Sequence, residues 1–423
     1  MESAVRAETS VASSATAPFA GKTVAVVHAA WHSCGSYQVN VSQMIAYRAL
    51  GARVISIALM DAPGPLPPRG ARWRAYLAAT DDLPADKRYF CGADWRLVPT
   101  PGFLGEAWWP LIHGDQAVFL VELAKRAAVP PELQAETIDL IHANHYFTLP
   151  FVSKLRGARN ISVILETQDI QARQYVLRNK GGFFLPPYAT YEDMLQIELE
   201  WMKTADLCVH LNEAERADFA TLLPKARHRL VYPAVAPVPA GPGGNRIIIV
   251  ASDNYANYVS LRWFLQEVLP LAPQADVEIY GNIDGGVKSR DKALYETHRR
   301  CFKGRVDDIG AVYADSACVL LPTIEGHGLS IKAVEALASG APIIATPQAF
   351  RGMKIDPRTL SNVALVEDAQ GFAAALRDAD ARRGAREAPP RAASDTRRLY
   401  DEVFSFSAYT RALHEAAAPL VSS

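Results

Sequence analysis

The chain has 423 residues, beyond the ~250 to 300 at which a single hydrophobic core stops growing, so two domains are expected and a lone small binding module is excluded. Apolar residues make up 49% and charged residues 21%, and 44 basic against 45 acidic residues leave a formal net charge of −1, which argues against a protein that works by neutralising nucleic-acid phosphates. Five cysteines, Cys34, Cys91, Cys208, Cys301 and Cys318, are too scattered for a disulfide framework, and no two have the CxxC spacing of a zinc site or redox pair.

The first twenty residues, MESAVRAETSVASSATAPFA, are small and polar, lack the apolar run of a signal peptide, and predict a disordered tail. TVAVVHA (23 to 29) then reads as a strand, WHSCGSYQVN as a loop, and the stretch through Met44 to Leu50 as a helix. Further β-rich apolar runs follow at 53 to 60, 137 to 143, 161 to 166, 206 to 212 and 229 to 234, with helical stretches between several of them. Such runs indicate parallel strands covered on both faces, hence a first α/β domain over 21–235. AVAPVPAGPGGN (234 to 245) is rich in Pro and Gly and gives a linker at 236–245.

The series restarts at 246 to 252, 277 to 282, 317 to 323, 342 to 346 and 363 to 368, which sets a second α/β domain over 246–395. Two stretches read as exposed loops without chemistry, DAPGPLPPRG (61 to 70) and DADARRGAREAPPRAAS (378 to 394). No window offers an apolar run long enough to span a bilayer, so the expectation is a soluble, cytoplasmic protein. RGARWRAYLAAT (69 to 80) mixes arginines with Trp73 and Tyr76, and reads either as a solvated helix or as a peripheral contact with an anionic membrane.

In open α/β sheets the ligand binds beyond the carboxyl ends of the strands. The richest such end is ACVLLPTIEGHGLSIKAVEALASGAPIIATPQAFRGM (317 to 353). A strand leads into a loop with Gly326, His327, Gly328 and Leu329, and a helix from about Ser330 carries Lys332 and Glu335. The glycines allow close backbone approach, and free amides with the helix dipole favour an anion such as a diphosphate. Lys332 adds a full charge. Three residues on, Glu335 is either a first-turn acid favoured by the dipole or an acceptor for vicinal hydroxyls such as those of a ribose.

The order Gly326, Gly328, Lys332, Glu335-Ala-Leu-Ala-Ser-Gly340, Pro342 resembles the donor-binding region of glycosyltransferase family 4, in the branch written GxGxxxKxxEAxAxGxP. The resemblance implies a GT-B fold, two Rossmann-like doubly wound domains facing across a cleft, with a final helix over 396–423 returning to the first domain. It also implies metal-independent, retaining transfer of a sugar from a nucleotide diphosphate sugar, with no cofactor. The chain departs from the commonest family form at two places. His327 stands eight residues before Glu335 where a second glutamate is usual, with Glu325 ten before, and ASDNYANYVSLRW offers Ser252, Asp253 and Asn257 where an Arg and a Lys are usual. Lys332 and Arg305 are then the cations left for the phosphates.

In the first half the resemblance points to Gly35 after the first strand, as a loop glycine against the donor. It points also to HANHYFTLP, where relatives have His-x-His and this chain has His142 and Asn144, making His145 the substitute catalytic candidate. ETQDIQARQ places Glu166 and Asp169 where they bind acceptor hydroxyls or, for Asp169, cap the next helix. No His, Cys and acid cluster has metal-ligand spacing. The expected activity is transfer to a glycan or lipid-linked acceptor in bacterial polysaccharide or envelope glycan synthesis, at the inner face of the membrane if the acceptor is lipid-linked. The alternative is a non-catalytic GT-B-like protein that binds a nucleotide or glycan.

Overall fold

The computed structural model describes residues 17–32, 34–65, 70–179, 182–383 and 390–421. They fall into two compact units, one of residues up to Pro233 together with those from Tyr409 on, the other of Ala234–Ala408.

The first unit holds a parallel sheet of β1 (Thr23–Ala29), β2 (Arg53–Leu59), β3 (Lys87–Cys91), β4 (Leu140–Asn144), β5 (Ser162–Glu166), β6 (Leu207–His210) and β7 (His228–Leu230), in the order β3-β2-β1-β4-β5-β6-β7. Every residue of TVAVVHA is buried, as a central strand covered on both faces requires. It pairs on one side with β2, Val24 beside Val54, and on the other with β4, Val24 beside Leu140. The helices that matter below are α1 (Gly35–Ala49), α2 (Ala71–Ala79), α3 (Gln116–Arg126), α4 (Gln171–Asn179) and α5 (Tyr191–Met202). α5 starts with a capping box in which Thr190 and Asp193 exchange side-chain to backbone hydrogen bonds.

The second unit repeats the plan with six parallel strands: β8 (Arg246–Val250), β9 (Val277–Tyr280), β10 (Phe302–Gly304), β11 (Ser316–Leu321), β12 (Ile343–Ala345) and β13 (Val363–Leu365), in the order β10-β9-β8-β11-β12-β13. Its helices include α6 (Tyr255–Trp263), α7 (Ile331–Ser339), α8 (Ala369–Ala381) and α9 (Asp395–Val403). The last helix, α10 (Phe406–Val421), belongs to the first unit from Tyr409, where Arg229 pairs with Glu415 at 2.7 Å.

The α/β class and all eleven expected strands are present, and the first sheet gains β3 and the second β10. Both are edge strands, KRYFC and FKG, too short and too charged to read as apolar runs. Three local expectations are corrected. Residues 1–16 of the expected disordered tail lie outside the described residues, but Phe19 is buried against Tyr47 and His414. In α2, Trp73 and Tyr76 pack under Phe90 and Ala58, so a membrane contact through these aromatics is not what the helix presents; what faces solvent is Arg72 and Arg74. Part of 378–394 is helix, and Arg391 is buried, its guanidinium donating to the carbonyls of Tyr313, Ala314 and Ser316. Residues 384–389 and 66–69 of the two expected loops lie outside the described residues.

Candidate functional site

The strand order of the second sheet reverses between β8 and β11, the position at which an open α/β sheet leaves a crevice beyond its carboxyl ends. A recess opens there, lined by Val250 and Ala251 at the end of β8, Asn257 and Ser260 of α6, Thr323 after β11, and Lys332. The loop from β11 is held to α6 by the Ile324 amide, which donates to Ser260 Oγ at 3.2 Å. Gly326 (φ 133°) and Gly328 (φ 67°) then take backbone conformations that a side chain would oppose. Ser330 caps α7 by accepting from the Ala333 amide.

α7 buries Ala333, Val334, Ala336, Leu337, Ala338 and Ser339, and stops at the left-handed Gly340. Lys332 and Glu335, three apart, share the helix's other side, both half-buried. Burial pushes the Lys332 ammonium down to about 8, with the nearby Arg351 charge acting in the same direction and Glu335 opposing both. The Glu335 carboxyl is raised by burial, against a hydrogen bond at 3.1 Å from the Tyr313 hydroxyl and the charge of Lys332. The pair is thus a polar couple held out of bulk water, able to offer a cation and an acceptor to one ligand.

Sequence reasoning overlooked Arg351. The turn after β12 (Pro347–Phe350) brings it back to the glycine loop, where its Nε donates to the His327 carbonyl at 3.3 Å and its Nη1 to Gln348 at 3.2 Å. Gln348 Nε2 donates to the Gly326 carbonyl at 3.1 Å. The two arginines are therefore placed differently: Arg305, the sequence candidate, is exposed after β10, three strands from β11, whereas Arg351 bonds to the glycine loop and its charge acts on Lys332. Glu325 and His327 are exposed on the loop and Leu329 is half-buried. Asp253, in the loop where two cations were sought, pairs with Arg290 at 2.7 Å.

The first sheet reverses between β1 and β4. Gly35 begins α1, and open space surrounds it where a Cβ would stand. His145 and Gln168, just past β4 and β5, have φ of 64° and 66°, strained values for residues with side chains. His145 is buried between Trp31 and Phe147, with both ring nitrogens unpartnered, and burial pushes its imidazole down to about 3. Asn144 is wholly buried, its amide exchanging hydrogen bonds with Gln43 and accepting another from Gln168. His142 beside it is engaged by Tyr47 and Gln43. Glu166 is buried as well, and its carboxyl is pushed well above the usual range by burial. Asp169, raised in the same way, does not cap α4: the amides of Gln171 and Ala172 donate to Glu198 of α5 at 3.2 and 3.1 Å. The cap comes from another helix, so the nearest acid in sequence was a misleading guide.

Anabaena HepE, solved in complex with UDP, superposes with a TM-score of 0.60 at 12% identity, over 94% of this chain and 100% of HepE. The fold is GT-B. TarM gives a TM-score of 0.60 at 11% identity, over 96% of this chain and 100% of TarM. Sucrose-phosphate synthase from Thermosynechococcus elongatus gives 0.58 at 16%, over 95% and 99% of the two chains. Residues 244–379 of this GT-B chain match the family described as glycosyl transferases group 1, a span that contains the whole of the β11 to β12 site. No curated protein sequence matches the chain significantly. Among the described residues of the two GT-B units, no helix is long and apolar enough to cross a membrane, and no group of three His, Cys, Asp or Glu is disposed to hold a metal ion.

Proposed function

We propose that this protein transfers a sugar from a nucleotide diphosphate sugar to a glycan or lipid-linked acceptor, with retention at the anomeric carbon and without a metal ion. The observation that carries this reading is the half-buried Lys332 and Glu335 couple behind two positive-φ glycines, inside the span that matches the glycosyl transferases group 1. Structures of HepE with UDP and with UDP-glucose support a nucleotide sugar as the donor.

In this reading the loop amides and Lys332 receive the diphosphate and Glu335 accepts from the ribose hydroxyls. The bond from the anomeric carbon to the phosphate oxygen breaks, and the acceptor oxygen bonds to that carbon on the same face. The acceptor proton passes to the departing phosphate oxygen, so a protein nucleophile is not required. Negative charge grows on the diphosphate as the bond breaks, and cations already in place stabilise it most at that moment. From the first unit His145 is assigned to the transferred sugar or the acceptor, as a neutral imidazole. The roles of Arg305, Gly35, Glu325, Asn144, Glu166 and Asp169 in this scheme are secondary.

A second reading, a GT-B protein that binds a nucleotide without turnover, is motivated by Asp253, an acid already paired with Arg290 where two phosphate-neutralising cations were sought. Titration with UDP and GDP sugars, followed by assay of hydrolysis and of transfer to acceptor extracts, separates the two. Turnover establishes the enzyme; binding without turnover under all conditions establishes the second reading.

A further inference from the structure

Two side chains from the β12 turn grip the glycine loop by its carbonyls: Gln348 holds that of Gly326 and Arg351 that of His327. A trans peptide is planar, with its C=O and N–H antiparallel, so fixing a carbonyl also fixes the direction of the next residue's amide. With both carbonyls drawn toward the β12 turn, the N–H groups of His327 and Gly328 point to the opposite side of the loop. Among the described residues, neither amide, nor that of Leu329, is paired with an acceptor. Gly328 supplies the left-handed residue after His327 that lets successive amides converge, the backbone concavity that binds anions. The packing is tight as well: a Cβ on Gly326 would stand 2.9 Å from Arg351 Nη2.

We infer that Gln348 and Arg351 are positioning residues for the diphosphate, which set the peptide planes of the Gly326 to Gly328 loop so that its amides converge on the anion, Arg351 adding the second positive charge beside Lys332. This rests on the nucleotide-diphosphate reading above and assigns work to two residues that the glycine, lysine and glutamate pattern does not include. Gln348 tests the idea most cleanly, because it is neutral and its bond to the loop ends on a carbonyl. Its loss removes no charge from the site, so any effect on the anion must come through the backbone.

The test uses calorimetric titration of the full chain with UDP, GDP and ADP, taking the tightest of the three forward with its parent nucleoside. Gln348→Ala, Arg351→Lys and Arg351→Ala are compared with the wild type, and melting temperatures show that each is folded. Losing one orienting hydrogen bond should weaken the nucleoside diphosphate by roughly tenfold in Gln348→Ala, with the nucleoside unaffected. Arg351→Ala should weaken it further, and Arg351→Lys should fall between wild type and Arg351→Ala.

The pH dependence adds a readout that a merely structural role would leave unmoved. The groups facing Lys332 are Glu335 on its own helix and Arg351 from the β12 turn, with Glu325 near Arg351. Arg351→Ala takes a like charge away from Lys332, so its ammonium persists to higher pH and the alkaline loss of affinity moves upward; Gln348→Ala leaves that limb in place. Equal diphosphate affinity in wild type, Gln348→Ala and Arg351→Ala would overturn the inference. So would a loss confined to Arg351→Ala, which would leave a charge and no orienting role, or an equal loss for nucleoside and diphosphate. If the wild type binds none of the three diphosphates, the parent reading fails and this one falls with it; if it binds one and the variants bind as well, only this one fails.

Discussion

The loop after β11 and the loops after β4 and β5 each turn at the carboxyl end of a strand through left-handed backbone, but with opposite chemistry. In the second unit glycines take the unusual φ, the polar groups are half-exposed, and a cation stands beside an acid. In the first unit His145 and Gln168 take it, and their neighbours Asn144 and Glu166 are sealed from solvent. Burial drives His145 and Glu166 toward their neutral forms. The difference teaches what each loop can handle. The second can meet a highly charged ligand, because its cation and amides are presented without strain; the first offers neutral hydrogen-bonding groups held by a backbone that costs about 1 to 3 kcal/mol at each strained residue.

The largest expected effect is on the charged side of this contrast. Lys332→Ala should weaken nucleoside diphosphate binding by roughly a hundredfold and slow transfer by more, since the charge it faces grows in the transition state. Equal losses in binding and in transfer would make Lys332 a ground-state contact only. Glu335→Gln keeps the shape but loses charge-assisted hydrogen bonds worth ~1.5 to 3 kcal/mol, so affinity should fall roughly ten- to a hundredfold. Unchanged affinity in a folded Glu335→Ala variant would remove that residue from the site.

On the neutral side, His145→Ala should leave nucleotide affinity unchanged while lowering transfer roughly tenfold, the loss of one hydrogen bond to the sugar or acceptor. A purely structural histidine predicts a lower melting temperature with activity per folded molecule preserved. The pH profile sharpens the same contrast. Lys332 binds an anion only as the ammonium, and its pKa lies near 8 in the free protein, so affinity should be full below that value and decline as pH rises through it. His145, already neutral above about 3, should contribute no limb in the ordinary imidazole range near 6.5. The smallest expected effect is that of EDTA, which should leave turnover intact; abolition by chelation and rescue by Mg²⁺ or Mn²⁺ would show that a metal does the work assigned to Lys332 and the loop.

How legible each region was follows from the same chemistry. Gly326, Gly328, Lys332 and Glu335 can be found in the sequence because their spacing is local, set by one loop and one helix turn. Arg351 escapes such a reading, since its bond to the loop joins residues 24 positions apart, across α7 and β12. In the first unit, positive φ at His145 and Gln168 leaves no mark comparable to a glycine, and the burial of Asn144 depends on Gln43, 101 residues earlier. The central strands were plain from their apolar runs, whereas β3 and β10 were hidden at the edges by Lys87, Arg88 and Lys303. Arg391 lay in a stretch that reads as a solvated loop, because nothing local announces the three carbonyls that it satisfies.

The central claim is that the loop between β11 and α7 is the seat of a nucleoside diphosphate, with Lys332 as its principal charge. Calorimetric titration of UDP, GDP and ADP into the wild type and into Lys332→Ala, each at pH 7 and pH 9, tests it most directly. The wild type should bind at least one of the three at pH 7 and lose affinity at pH 9, while Lys332→Ala should bind weakly at both and show no pH dependence. Tight binding by Lys332→Ala, or the same fall between pH 7 and pH 9 in both proteins, would contradict it.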